Sequence, residues 1–424
     1  MPPTLLAADL SDPLQSLRAA NVEHVLLPLL WQLAIILVAA RLGAALFRWL
    51  RQPAVVGEIA AGLMLGPSLL GWVWPGAFAA VFYPVIDGLS PQASDVLLHW
   101  IITAVSQLGL VLLLFLVGLE FDFSHLRWHG ASALAISVSG MAAPFALGIV
   151  LALWIHPRVA ADVPVVSFTL FMATALSITA IPVLGRIMME LNITRTRLGA
   201  ITISSAAAND AAGWILLATV AALVRGELSL VATVTMAAAT VGFGLAMIFI
   251  ARPLLRRWAA YTLERGGGEL SLNSLAILLS LILLCAIATN LIGIFAIFGA
   301  FLLGAILSSE NAFREAVNRR LRDLVTVFFL PIFFTYTGLR TQIGTLESWQ
   351  LWGIAVAVIA LAIAGKLGGC GLAARLTGSS WRESGCIGAM MNTRGLMELI
   401  VINVGKDLGV IPDSVFCIWS SWPS

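Results

Sequence analysis

The chain has 424 residues, of which 60% are hydrophobic and only 11% charged, with a formal net charge of +2. A soluble domain carries about a quarter charged residues, so this composition excludes an ordinary soluble protein and predicts an all-α polytopic membrane protein. So small a net charge says little about partners beyond the lipid bilayer, and no nucleic-acid partner is expected. The four cysteines, Cys285, Cys370, Cys386 and Cys417, lie in or beside apolar runs without metal-site spacing, so they read as core thiols.

Apolar runs predict about 13 membrane segments. The first seven lie near 25–47, 54–70, 101–119, 131–154, 164–189, 198–224 and 229–250. The rest lie near 272–290, 291–307, 323–338, 351–374 and 385–404, with a last one starting near Ile411. That last segment has about 14 residues, fewer than a crossing needs, so a shortened final helix and an atypical tail over 417–424 are expected. Alternate loops divide the basic residues unevenly. One side holds Arg48, Arg51, Arg252, Arg256, Arg257, Arg319 and Arg320 among others, and the other only Arg18, Arg158, Arg225, Arg340 and Lys406. The positive-inside rule then places the N-terminal segment, 1–24, and the loop 71–100 outside.

The sixth segment holds the sharpest signal. Asp210 lies about 12 residues into it, so at 1.5 Å per residue it is roughly 18 Å deep, near the midplane. A lone carboxylate at that depth is expensive unless it faces a cavity or a partner, and such groups mark ion or proton paths. Asn209 precedes it, and Thr202, Ser205 and Asn209 form one polar stripe at helical spacing. The plain alternative is a protonated acid that only hydrogen-bonds a neighbouring helix.

Two other segments are interrupted. In the fifth, Pro182 lacks an N–H, so the Ile178 carbonyl loses its helical partner where Ser177 and Thr179 add hydroxyls. Freed carbonyls and hydroxyls, with Thr174 one turn earlier, form a hard-oxygen environment suited to Na⁺ or K⁺; a simple proline kink is the competing reading. In the twelfth, Asn392, Thr393, Arg394, Gly395 and Glu398 cluster, and Arg394 and Glu398 at i, i+4 can neutralise one another. Their expected role is structural and electrostatic support, with direct ion contact as the minor alternative. Lys366, which shares its residue type only with Lys406, lies mid-span and needs an acidic or carbonyl partner; Asp210, Glu398 and Glu58 are the deep acids available. The stretches around Gly118 and Gly338, and around Ser177 and Asn392, recur at nearly one offset along the chain. Because the copies lie an odd number of spans apart, they predict inverted repeats, and interrupted helices at matching positions point to a transporter's substrate site.

The stretches VVGEIAAGLMLGPSLLGW, LLLFLVGLEFD, ATALSITAIPVLGRIM, SSAAANDAAGWILLA and NTRGLMELIVINVG, in this order, carry a resemblance. The chain resembles the monovalent cation:proton antiporter-2 family, which is related to bacterial sodium/proton exchangers, potassium efflux proteins and plant cation/H⁺ exchangers. The resemblance implies a cation/proton exchanger domain over 25–416 with 13 helices and two broken crossing helices. It implies an elevator-type movement of a six-helix core against a dimerisation domain, and so a homodimer. By position Asp210 matches the cation- and proton-binding carboxylate and Asn209 its neighbour. Lys366 matches the core lysine, residues 174–182 the first crossing helix, and Arg394 and Glu398 the second. Cation and proton ligands are thus expected among Asp210, Asn209, Ser177, Thr179 and Thr174. Support is expected from Lys366, Arg394, Glu398, Asn392, Thr393 and Pro182. Where some relatives have two adjacent acids this chain has Asn209-Asp210, which implies electroneutral exchange of one Na⁺ or K⁺ for one H⁺. No resident cofactor and no enzymatic activity are expected, and the expected location is a bacterial inner membrane. A sodium-coupled solute symporter of similar fold, and a non-transporting membrane subunit with a shortened C-terminus, are the alternatives.

Overall fold

The structure, a computed structural model, describes residues 22–87, 89–120, 123–226, 229–339 and 349–394, and beyond them residues 398, 401–402, 404–405 and 408–412. Most of the N-terminal segment, the expected thirteenth span from residue 413 on and the tail 417–424 lie outside the described residues.

Every regular element among the described residues is helical, and none is a strand. That is the outcome apolar runs of this length impose, because a spanning helix satisfies its own backbone where no water can. Ten helical stretches, with Val165–Glu190 taken as one, are long and apolar enough to cross a membrane among the described residues, and Ile297–Leu307 is a shorter apolar helix. The ten correspond to the first eight expected segments and to the tenth and eleventh. The ninth is the short helix, and the twelfth is represented by Trp381–Met391 and the residues after it.

Helices run past the ends of their apolar stretches. The seventh segment, expected to stop near residue 250, continues from Leu230–Ala246 through a π-helical turn, Met247–Ala251, into Arg252–Arg265. The tenth likewise emerges from a polar helix, Asn311–Leu324, through a second π-helical turn, Val325–Phe329, into Leu330–Leu339. Hydropathy marks where a helix leaves lipid, whereas the helix itself ends where capping permits. The loop expected over 71–100 contains two short helices, Leu70–Val73 and Pro75–Phe82, and the start of Pro91–Leu119.

The chain forms two compact units. One comprises residues up to Leu110 together with Val325–Gln342. In it α1, Val22–Trp49, buries only Gln32, Ile36, Ala40 and Ala44, a stripe at four-residue spacing, and leaves Leu30, Val38, Leu42 and Leu46 exposed. Helix α2, Ala54–Leu65, packs on α1 and on Leu330–Leu339. The second contact is backbone to backbone: a Cβ on Gly62 would lie 2.0 Å from the Thr335 carbonyl oxygen, so only glycine lets the helices approach this closely. The Thr335 hydroxyl donates to the Glu58 carbonyl at 3.0 Å across the same contact. Ile36, Phe82, Ile102, Ile332, Tyr336 and Leu339 form the core of this unit.

The other unit comprises, among the described residues, Val111–Leu324 and those from Trp349 on. The long helix Phe123–Val159 packs against Val165–Ser177, Arg197–Val224 and Trp349–Leu376, and the last of these packs on Trp381–Met391. Gly140 faces Cys370, whose sulfur would lie 2.3 Å from any Cβ placed there. Phe168, Phe171, Met172, Leu176, Val401 and Ile402 fill the interior. At the start of Trp381–Met391, outside the span expected from the sequence, Ser380 and Glu383 form a reciprocal capping box. The Ser380 backbone N–H and then its side chain, both bonded with Glu383, hold the Glu383 carboxyl below the usual carboxylate range.

Candidate functional site

The fifth segment is two helices, not one kinked helix. Val165–Ser177 ends, Ile178 to Ala180 are extended, and Ile181–Glu190 begins anew. Pro182 sits in the first turn of the second helix, where its missing N–H costs no helical bond. The twelfth segment breaks in the same way: Trp381–Met391 ends, residues 392–394 are non-helical, and residues 398, 401–402 and 404–405 are helical again.

The two breaks meet. The Ala180 N–H donates to the Thr393 carbonyl at 3.0 Å, and the Thr179 hydroxyl donates to the Met391 carbonyl at 3.4 Å. Each break frees carbonyls at a helix C-terminus, where the macrodipole is negative. Two buried cations serve the first of these ends. Lys366 Nζ donates to the Ser177 carbonyl and to the Thr179 hydroxyl, both at 2.6 Å. Arg394 donates to the Leu176 carbonyl at 3.1 Å and to the Glu398 carboxylate at 2.9 Å. Of the partners the sequence allowed Lys366, the structure has a carbonyl. Asp210, Glu398, Arg394 and Cys370 are within electrostatic reach of its ammonium, but Asp210 does not hydrogen-bond it.

Asp210 and Asn209 lie on Arg197–Val224, which packs on both halves of the broken fifth segment and on Trp381–Met391. Gly213, one turn from Asn209, faces Ile178 in the break, and the Asn209 amide lies near Gly140. Both residues are fully buried. Neither Asp210 carboxylate oxygen, and neither polar atom of the Asn209 amide, has a hydrogen-bond partner among the described residues. The buried Asn392 Oδ1, at the second break, is in the same position.

The remaining candidates divide between packing and the break. Thr174 donates to the Leu170 carbonyl at 2.7 Å, Ser177 to the Thr174 carbonyl at 2.8 Å, and Thr393 to the Met390 carbonyl at 3.0 Å. A hydroxyl that donates keeps lone pairs, so these oxygens can still accept from or coordinate a guest. The polar stripe on the sixth segment is partly a packing device: Ser205 donates to the Ala133 carbonyl at 3.0 Å, and Thr202 to the Leu198 carbonyl at 2.8 Å. The arrangement therefore concentrates one unpaired carboxyl, two unpaired amide oxygens and several hydroxyls around two broken helices. Oxygen groups of this kind are chemically suited to a small hard cation or a proton.

A sequence profile for the transmembrane sodium/hydrogen exchanger matches residues 34–419. The chain belongs to the sodium/hydrogen exchanger family. It is 38% identical over 397 residues to Cation/H(+) antiporter 17 of Arabidopsis thaliana, covering 94% of this chain and 47% of that protein. It is 36% identical over 403 residues to the Na(+)/H(+) antiporter NhaS4 of Synechocystis sp., covering 93% of each. K(+)/H(+) antiporter 1 of Saccharomyces cerevisiae is 31% identical over 404 residues, 93% of this chain and 45% of that protein. The chain thus spans about half the length of the plant relatives it matches and nearly all of NhaS4. In fold it is similar to the sodium proton antiporter MjNhaP1 from Methanocaldococcus jannaschii, with a TM-score of 0.58 at 16% identity over 94% of this chain and 92% of that one.

This exchanger-family chain is a multi-pass membrane protein whose matched relatives are transporters rather than enzymes. Two features of its site were not foreseen from sequence. Cys370 stands one turn beyond Lys366, with its thiol directed to the Ile136 carbonyl at 3.8 Å. The backbone bond between Ala180 and Thr393 has no side-chain signature at all.

Proposed function

We propose that this chain exchanges a monovalent cation, Na⁺ or K⁺, for H⁺ by secondary active transport, with Asp210 holding the cation and the proton in turn. The observation that carries this reading is the Asp210 carboxyl, fully buried and without a hydrogen-bond partner beside an equally unpaired Asn209 amide. An ionised carboxylate so placed is costly until a cation or a proton neutralises it, and one group cannot hold both. The hydroxyl oxygens of Thr174, Ser177 and Thr179 and the Asn209 amide complete a cation's shell. Lys366, Arg394, Glu398, Asn392, Thr393 and Pro182 keep the two breaks open and their carbonyl ends neutralised.

Each turnover then carries one cation one way and one proton the other, with no net charge, through an elevator-type movement of the site-bearing helices. Family membership and the names of the relatives support exchange of Na⁺ or K⁺ for H⁺. The same reading includes 13 spans in inverted repeats over 25–416 and a homodimer in a bacterial inner membrane. The uneven division of arginine between alternate loops supports an outside N-terminus. The test is a cation pulse applied to proteoliposomes containing the purified chain, with internal pH recorded. Proton movement opposite to Na⁺ or K⁺ supports antiport, and proton movement in the same direction, or none, rejects it.

A further inference from the structure

A cavity of about 260 Å³ lies within the unit that contains α1, and none of its lining residues belongs to the Asp210 site. Gln32, Phe82, Tyr83, Asp95, His99 and Tyr336 line it, with Leu98, Ile102 and Leu339 among its apolar walls. Two of its polar side chains, those of Gln32 and Asp95, offer acceptor oxygens. Gln32 is 2% exposed, and its Nε2 donates to the carbonyls of Val81 at 2.9 Å and Phe82 at 3.4 Å. That bonding fixes the amide orientation and leaves Oε1 buried without a hydrogen-bond partner. The Tyr336 hydroxyl is paired with the His99 ring. Asp95, one turn before His99 on the same helix, forms no ion pair among the described residues. No lysine or arginine lines the cavity.

A buried acceptor without a partner, Gln32 Oε1, selects a ligand that donates, and the Asp95 carboxylate, with no lysine or arginine in the lining, selects positive charge. The Phe82 and Tyr83 rings add faces that attract a cation. The volume argues against a bare metal ion. It corresponds to several waters at about 30 Å³ each, and lies just below the roughly 300–1,000 Å³ typical of small-molecule pockets. We propose that this cavity binds a small organic ammonium ion with an apolar body, its charged end toward Asp95 and Gln32 and its body against Leu98 and Ile102.

The probe is phenethylammonium, titrated calorimetrically into the purified full chain in detergent, with uncharged 2-phenylethanol as its counterpart. The expected result is saturable binding of one phenethylammonium per chain, at least tenfold tighter than the alcohol. Asp95→Asn should weaken it at least tenfold, and Ile102→Phe, which fills the cavity without changing charge, should abolish it. Because Gln32→Leu also removes bonds that hold residues 81 and 82, Ile102→Phe is the cleaner test of location. Asp210→Asn should leave the affinity unchanged, which separates this site from the transport reading. Equal binding of the alcohol, undiminished binding to Asp95→Asn, or no saturable binding to the parent chain would overturn the proposal.

Discussion

The Ala180 N–H donates to the carbonyl of Thr393 at 3.0 Å, joining two segments more than two hundred positions apart by a backbone bond. Each partner is a group that its own helix has released, since Ala180 precedes the restart at Ile181 and Thr393 follows the end at Met391. In lipid such released groups cost several kcal/mol each if left unsatisfied, on the order of a whole hydrogen bond. The bond therefore satisfies one released group from each break, and the two breaks support one another beside the helix that carries Asp210.

Asp210→Asn should abolish exchange in both directions while the protein still inserts and folds. Amide and carboxylic acid have nearly the same shape, so packing is kept while the titratable group is lost. Competition gives a second signature in the unsubstituted chain. A proton and a cation that share one carboxyl exclude each other, so lowering the pH should raise the apparent cation KM, by up to about tenfold per pH unit once the protonated form dominates. Counterflow measured in proteoliposomes across a pH series tests both. Residual pH-dependent exchange in Asp210→Asn would remove Asp210 from the central role.

Much of this site was legible in the sequence because the membrane makes polar residues rare. Asp210, Lys366 and Arg394 stand out by depth alone. The breaks were legible as weak spots, through Pro182 and the cluster from Asn392 on, but not in their geometry. Pro182 marks a helix start rather than a kink, and of the acidic or carbonyl partner expected for Lys366 the structure has the carbonyl, that of Ser177, with the Thr179 hydroxyl beside it. Such partners are invisible in sequence, because every residue carries a carbonyl and only tertiary packing selects one. Helix ends failed for another reason: Arg252–Arg265 and Asn311–Leu324 continue as helices after their hydropathy has dropped. Gln32 was overlooked as a single polar residue in an apolar run, and only its bonds to residues 81 and 82 give it meaning.

Transport should be insensitive to membrane voltage. Asn209 is neutral, so a single carboxyl alternates between a proton and a monovalent cation, and the moving site carries the same charge each way. A net charge would couple to the potential at about 2.3 kcal/mol per 100 mV, a large effect on rate. Exchange timed with and without an imposed K⁺-valinomycin potential, using Na⁺ as the transported ion, measures this. Acceleration by voltage would mean that a second group, Lys366 first, carries charge across. Asn209→Asp, which adds a carboxylate, should create voltage dependence.

The capping box at Ser380 should make stability depend on pH in the acid range. The folded-state pKa of Glu383 is lowered by its bonds with Ser380, so its contribution is fully present above the ordinary glutamate pKa. That contribution is lost as the pH falls through the lowered folded value. Glu383→Ala should therefore melt below the parent chain at neutral pH, and the gap should close on acidification. A gap that persists unchanged down to the most acid pH the protein tolerates would show that the carboxylate is not what caps the helix.

Lys366 should act first as the cap of a broken helix. Its ammonium is fully buried and gives two bonds of 2.6 Å, to the Ser177 carbonyl and the Thr179 hydroxyl. Hydrogen bonds to charged groups contribute about 1.5–3 kcal/mol each, partly offset here by the cost of burying the charge. Lys366→Met keeps the length of the side chain and removes both bonds, leaving the Ser177 carbonyl unsatisfied at a helix end. The expected loss is on the order of 2 kcal/mol, read as a lower melting temperature in detergent together with slower exchange. Thr179→Val removes the hydroxyl that links Lys366 to the Met391 carbonyl. If Lys366 and Thr179 act as one unit, the double variant should be destabilised by less than the two single losses added, with a coupling of about 1–2 kcal/mol. Strict additivity would mean that Lys366 stabilises the protein elsewhere. An unchanged melting temperature in Lys366→Met, with exchange lost, would instead move its role from holding the break to the ion itself.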